Sequence, residues 1–198
     1  MSGLLFFWLS WMYWVFLTFL MPKNKYRTGL SCWLLLTIIT SNIYFGFSRM
    51  TLAGVVFVLL TGGIIWMVKL KRIFSHSLNS FLVMIAFATS HLWEANLPIL
   101  YLLPMCIFTP FVITLIIAFL TKHITSQLII CIVGMTFGDF LFQYILIGYG
   151  LPVVIGGMAF LDEMLVTVVL ISFLHILVRI RNKTGSIINY HLTRWQNE

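Results

Sequence analysis

Seven apolar runs, at about 3–21, 28–47, 51–68, 78–94, 98–120, 124–147 and 160–178, are separated by short polar or basic stretches. A helix rises 1.5 Å per residue, so roughly 20 apolar residues match the hydrocarbon thickness of a bilayer. Lipid offers no hydrogen bonds to an open backbone, and each run is therefore expected to be helical. The spacing predicts an all-α polytopic bundle over 1–181 with seven transmembrane helices. A polar tail over 182–198 follows, read as a short surface helix or a disordered end.

Composition excludes the soluble alternative. The chain is 61% apolar and only 9% charged, with a mean hydropathy of +1.05, whereas a globular domain carries about 25% charged residues. A domain of this size leaves much of its surface uncovered, so lipid has to cover the apolar excess. The net charge of +7 does not indicate nucleic acid. Its basic residues sit in short clusters between apolar runs, with no basic and aromatic interleaving on a polar face. Cys32, Cys106 and Cys131 fall in three different runs and form no ligand motif. They read as small apolar residues.

The basic clusters set the orientation. With seven spans, every Lys and Arg except Arg49 falls on one side, and that side is cytoplasmic by the positive-inside rule. The amino terminus is then outside and the carboxyl terminus inside. The same clusters would meet anionic lipid headgroups. Gly3 to Met21 lacks a basic flank and a small-residue cleavage site, so it reads as a retained span rather than a signal peptide. Pro104 and Pro110 fall inside the fifth run, which should be kinked or broken. Pro98 and Pro104 also leave open a re-entrant path for spans four and five.

Similar basic endings at Trp66–Arg72 and Ile176–Asn182 hint at a repeat of spans one to three in spans five to seven. Any helix that ends at the cytoplasm would show the same rhythm.

The costly residue is Asp139, inside the sixth run. A carboxylate at that depth costs about 2.5–3.5 kcal/mol on insertion scales, so it needs a partner, a proton or water. Thr136, Asp139 and Gln143 share a helix face, and Gly134 with Gly138 makes a close-approach pattern. On the second run, Thr37, Ser41, Tyr44 and Ser48 form a hydroxyl stripe at helical spacing. Together these residues could line a polar cavity for a cation, proton or small polar solute. They could equally serve as interhelical hydrogen bonds that fix register.

Asp162 and Glu163 open the seventh run, where they suit the positive end of a helix dipole. With Glu94 they would also make an acidic outer rim. His91 and Glu94 are three apart, but two ligands are too few for a zinc site. His175 reads as a satisfied interior or interfacial histidine. No nucleophile elbow, zincin motif or Walker loop occurs, and no carboxylate pair is spaced for acid and base work. The expectation is a chain without catalysis, metal or cofactor.

Phe7–Met12 (FWLSWM), Thr18–Met21 (TFLM) and Cys32–Leu36 (CWLLL) resemble the YphA family of Gram-positive bacterial membrane proteins. The resemblance spans the chain and implies a bacterial plasma membrane. It brings no activity to transfer. Two functions remain: a non-catalytic protein with an interaction or assembly role and a membrane-protein partner, or a small carrier or ligand-binding subunit built on Asp139.

Overall fold

Most apolar runs fold as helices, and the departures fall where aromatic and β-branched residues meet glycine. A computed structural model describes residues 3–47, 50–70, 72–96 and 105–196. These form α1 (Leu4–Leu20), α2 (Lys25–Thr40), α3 (Val55–Lys69), α4 (Ile73–Asn96), α5 (Met105–Leu120), α6 (Ile124–Gly148) and α7 (Met158–Gln196). Arg49, Lys71, Pro98 and Pro104 lie outside the described residues, and so does the side chain of Glu94.

The chain is mostly helical, as expected, with one small sheet added. Three short strands, β1 (Tyr44–Phe47), β2 (Met50–Ala53) and β3 (Val153–Ile155), form one sheet in the order β1-β2-β3. β1 and β2 are antiparallel with Tyr44 opposite Ala53, while β2 and β3 are parallel with Met50 beside Val153. The second run therefore stops being helical at Thr40 and the third begins at Val55, not near 51. Hydropathy alone does not separate a short apolar strand from a piece of helix. Here Tyr44, Phe45 and Phe47, and Val153, Val154 and Ile155, have side chains that favour extended backbone.

Other boundaries also differ from the apolar runs. α4 starts at Ile73, five residues before the expected 78. α5 runs through Pro110 as one helix. The seventh helix does not end at 178, because α7 continues into the polar tail as far as Gln196.

Contacts fix the relative directions of α1, α4 and α7. Gly3 and Tyr13 of α1 meet Asp162 and Ser172 of α7, so these two run parallel. His91 late in α4 meets Glu163 early in α7, which makes those antiparallel. The sheet links the α2–α3 and α6–α7 connections at that same end. At the opposite end, Lys69, Arg72, Lys122 and His123 line one cleft, and Lys122, Arg179 and Arg181 line its neighbour. Among the described residues, Asp139, Asp162 and Glu163 thus lie at one end and Lys69, Arg72, Lys122, Arg179 and Arg181 at the other. β1 and β2 lie between α2 and α3 and β3 lies between α6 and α7, so β2 and β3 lead into α3 and α7.

α6 is the central element. Every side chain from Ile129 through Thr136 is buried, as expected of a helix that is apolar all round. It packs on α3, α4, α5 and α7. A Cβ at Gly134 would come within 2.7 Å of Val83, and one at Gly138 within 2.9 Å of Phe87, so both glycines let α4 approach closely. α2 is held to α3 by Trp33, whose Nε1 donates to the Val58 carbonyl at 3.0 Å.

Three helices, Ile73–Trp93, Ile124–Gly148 and Met158–Arg181, are long and apolar enough to cross a membrane. α1, α3 and residues Ile107–Leu120 are shorter apolar helices. Trp8, Phe16 and Phe19 of α1 and Phe119 of α5 stand exposed. Contiguous apolar surface on this scale is rare on soluble monomers and suits hydrocarbon.

Candidate functional site

Three carboxylates gather at the sheet end, and each has a different partner. Asp139, 4% exposed, lies just past the middle of α6 beside the turn that follows β3. Its Oδ2 accepts a hydrogen bond from the Gly156 N–H at 2.7 Å. The Gln143 Nε2, one turn later on the same helix, donates to Oδ1 at 3.4 Å. Gly156 has φ of 71°, and a Cβ there would run into Val56. Only glycine meets both demands. The carboxylate therefore pins the β3–α7 turn to α6.

Asp162 also reaches backbone, but on another helix. Its Oδ2 accepts from the Gly3 N–H and its Oδ1 from the Phe6 N–H, both at 2.6 Å. Helix starts leave N–H groups without intrahelical partners, and α1 has no side-chain cap of its own at Gly3. From α7, Asp162 supplies both acceptors that a capping box would draw from local residues. The dipole it neutralises is that of α1, not the one expected from sequence.

Glu163 is the carboxylate with an ionisable partner. Its Oε2 lies 3.0 Å from the His91 Nε2 of α4, with the histidine side chain 15% and the glutamate 7% exposed. Phe87 packs edge-on against the imidazole with ring centroids 4.5 Å apart, and the Phe142 ring lies tilted at 5.2 Å. Two aromatic walls hold the ring in place.

These groups open onto a cleft of about 800 Å³. His91, Asp139, Gln143 and Glu163 contribute its polar side, and Tyr44, Phe87, Phe142 and Val154 its apolar side. The volume suits a small organic solute. Among the described residues, no three His, Cys, Asp or Glu side chains are grouped to hold a metal ion.

The residues singled out from sequence are only partly brought together. Asp139, Gln143 and Tyr44 share the cleft with Glu163. Tyr44 arrives there on β1, not as part of a helical stripe. Thr37 donates to the Leu34 carbonyl at 2.7 Å and Ser41 to the Ile38 carbonyl at 2.8 Å, so both hydroxyls are turned back on α2. Ser48 lies outside the described residues. Thr136 donates to the Ile132 carbonyl at 2.6 Å and takes no part in the Asp139 bonds. An acidic rim is not what Asp162 and Glu163 form, since both are buried, at 4% and 6% exposure. The pairing of His91 with Glu163, across 72 residues, left no local signal.

A family model described as YphA-like integral membrane protein matches residues 2–197. No curated protein and no solved structure matches the chain.

Proposed function

Because the chain belongs to the family of YphA-like integral membrane proteins, we propose that it is a non-catalytic, multi-pass protein of a bacterial plasma membrane that binds a small cationic or proton-exchanging solute. The observation that carries this reading is the partly buried His91–Glu163 pair, which lines a cleft of about 800 Å³ with Asp139 and Gln143. Burying ionisable groups is costly unless they are paired or used, and intramembrane ionisable groups are by default functional. Asp139 and Asp162 accept hydrogen bonds from backbone N–H groups, whereas Glu163 meets an ionisable side chain. A ligand ammonium group could take the place of the imidazole at Glu163.

All seven helices cross the bilayer in this reading. Support comes from α4 running antiparallel to α1 and α7, and from the basic residues gathered at one end, which would be cytoplasmic and would meet anionic headgroups. The sheet and the acidic cleft then face outward. α3, at 15 residues, spans only about 23 Å as a helix, and β2 ahead of it extends the same crossing.

The test is ligand-dependent thermal stability of the purified protein in nanodiscs, against monovalent cations, divalent cations and small organic amines. At least one class should raise the Tm of wild type saturably, and Glu163→Gln should lose that rise. A panel in which no member stabilises wild type more than Glu163→Gln refutes the reading. An interaction or assembly role is favoured by one feature, the exposed Trp8, Met12, Phe16 and Phe19 face of α1. Copurification of a stoichiometric membrane partner from native membrane, lost when that face is changed to alanine, would support it.

A further inference from the structure

We propose that the cleft at the basic end is a phosphate-group binding site, distinct from the outer solute cleft and independent of what binds there. Its volume is about 670 Å³, and Lys69, Arg72 and Lys122 all line it. None of these cations has a carboxylate partner among the described residues. Asp139, Asp162 and Glu163 are held at the other end of the bundle. Glu94 is 22 residues along α4 from Arg72, about 33 Å away on a helical rise. All three are exposed, and together they make one concave site strongly positive, which attracts an anion.

The backbone adds donors aimed at the same place. α4 starts at Ile73 and α6 at Ile124, so the positive ends of two helices meet at this cleft. Neither start is closed by an acid. α6 has no acidic residue in its first turn, and its N-cap, His123, makes no side-chain cap. The first intrahelical bonds are those from the Gln127 N–H to His123 O and from the His76 N–H to Arg72 O. The N–H groups before them stay unused within their helices, and Ser75, Thr125 and Ser126, which carry three of them, line the cleft.

Two side-chain atoms of the lining are compatible with this. His76 Nδ1 and Thr121 Oγ1 sit on half-buried residues, are shielded from solvent and have no hydrogen-bond partner among the described residues. Buried polar atoms are normally paired, so ligand oxygens that moved the covering side chains aside would satisfy them. The Thr121 carbonyl accepts from Gln127 Nε2 at 2.6 Å, which fixes the α5–α6 turn. Arg72 has φ of 77° without being glycine. That left-handed backbone is uncommon for an arginine.

The donor set is the one a tetrahedral oxyanion takes: a guanidinium, two ammonium groups, helix-start N–H groups, a hydroxyl and an imidazole. The ligand is a phosphate group, either on a lipid headgroup or free in solution. The probes that separate the sources are inorganic phosphate added to protein in phosphatidylcholine nanodiscs, and nanodiscs containing phosphatidylglycerol with no phosphate added. Wild type should gain stability saturably with one probe, read as Tm at constant ionic strength. A gain with inorganic phosphate assigns the soluble source, and a gain with phosphatidylglycerol alone assigns the lipid.

Lys122→Gln and Arg72→Asn should each weaken the effective probe roughly tenfold or more. Asparagine tolerates left-handed backbone, so Arg72→Asn removes charge without adding strain. Lys122→Arg should retain binding. Arg179→Gln with Arg181→Gln, which lie in the neighbouring cleft, should leave it within about twofold. If the charge variants fail to fold, Thr121→Val replaces them, and it should weaken the probe severalfold. Three results overturn the proposal: no saturable response to either probe, undiminished response in the cleft variants, or equal loss from Arg179→Gln with Arg181→Gln, which would mean diffuse attraction.

Discussion

Removing the Asp162 carboxylate should free α1 from the bundle. Its two oxygens hold the Gly3 and Phe6 N–H groups at 2.6 Å each. A hydrogen bond to a charged group contributes about 1.5–3 kcal/mol, so Asp162→Ala forfeits about 3–6 kcal/mol in the limit where no water reaches the two N–H groups. Water admitted at the helix start would bring the loss toward the lower figure. Asp162→Asn keeps one acceptor and turns an amide N–H₂ toward the other donor, which predicts roughly half the loss. The damage should be local, since α1 packs on α2 and α7. The assay is maleimide labelling of Ser10→Cys in a background without native cysteines. Ser10 is 1% exposed on α1, so its labelling rate reports detachment of that helix. A loss of about 3 kcal/mol raises the open fraction more than a hundredfold. If Asp162→Ala labels within twofold of the parent, the inter-helix cap contributes nothing and the reasoning is wrong.

Other substitutions separate packing from binding. Gly138→Val should disrupt the α4–α6 contact, because a Cβ at 138 already falls within 2.9 Å of Phe87; lower Tm with intact secondary structure by circular dichroism is the expected reading. Gly156→Ala should cost about 1–3 kcal/mol from left-handed backbone alone, with the overlap against Val56 added, and chemical unfolding measures it. Thr136→Val should be within about 1 kcal/mol of wild type, since its hydroxyl bonds only its own helix. Asp139→Asn retains an acceptor for Gly156, so it should remain folded while the solute-dependent Tm rise diminishes. An unchanged rise would restrict Asp139 to holding the turn.

How much of this the sequence disclosed depends on the range of each interaction. Run length and basic clusters located α1, α3, α4, α6 and the start of α7, because helix formation in lipid is a local demand. Gly134 and Gly138 were legible as a contact face, though nothing in them named α4 as the partner. The sheet was not legible. β2 and β3 pair across about 100 residues, and Tyr44–Phe47 is as apolar as a helix end. The carboxylates failed for the same reason. Asp162 and Glu163 sit side by side in sequence, yet one caps α1 and the other pairs with α4. His91 was noticed for Glu94, three residues away, while its partner lies 72 residues on. The hydroxyls of Thr37 and Ser41 were over-read, because helical spacing places a residue on a face but does not say whether its hydroxyl turns back to the helix's own carbonyl.

The account stands on acids and bases occupying opposite sides of a membrane, and single-cysteine labelling addresses that directly. With Cys32, Cys106 and Cys131 replaced, Leu151→Cys in the turn before β3 and Lys122→Cys in the α5–α6 turn are exposed to a membrane-impermeant maleimide on whole cells. The account predicts labelling of Leu151→Cys on intact cells and of Lys122→Cys only after permeabilisation. Labelling of both from the same side, or in the reverse order, would contradict it.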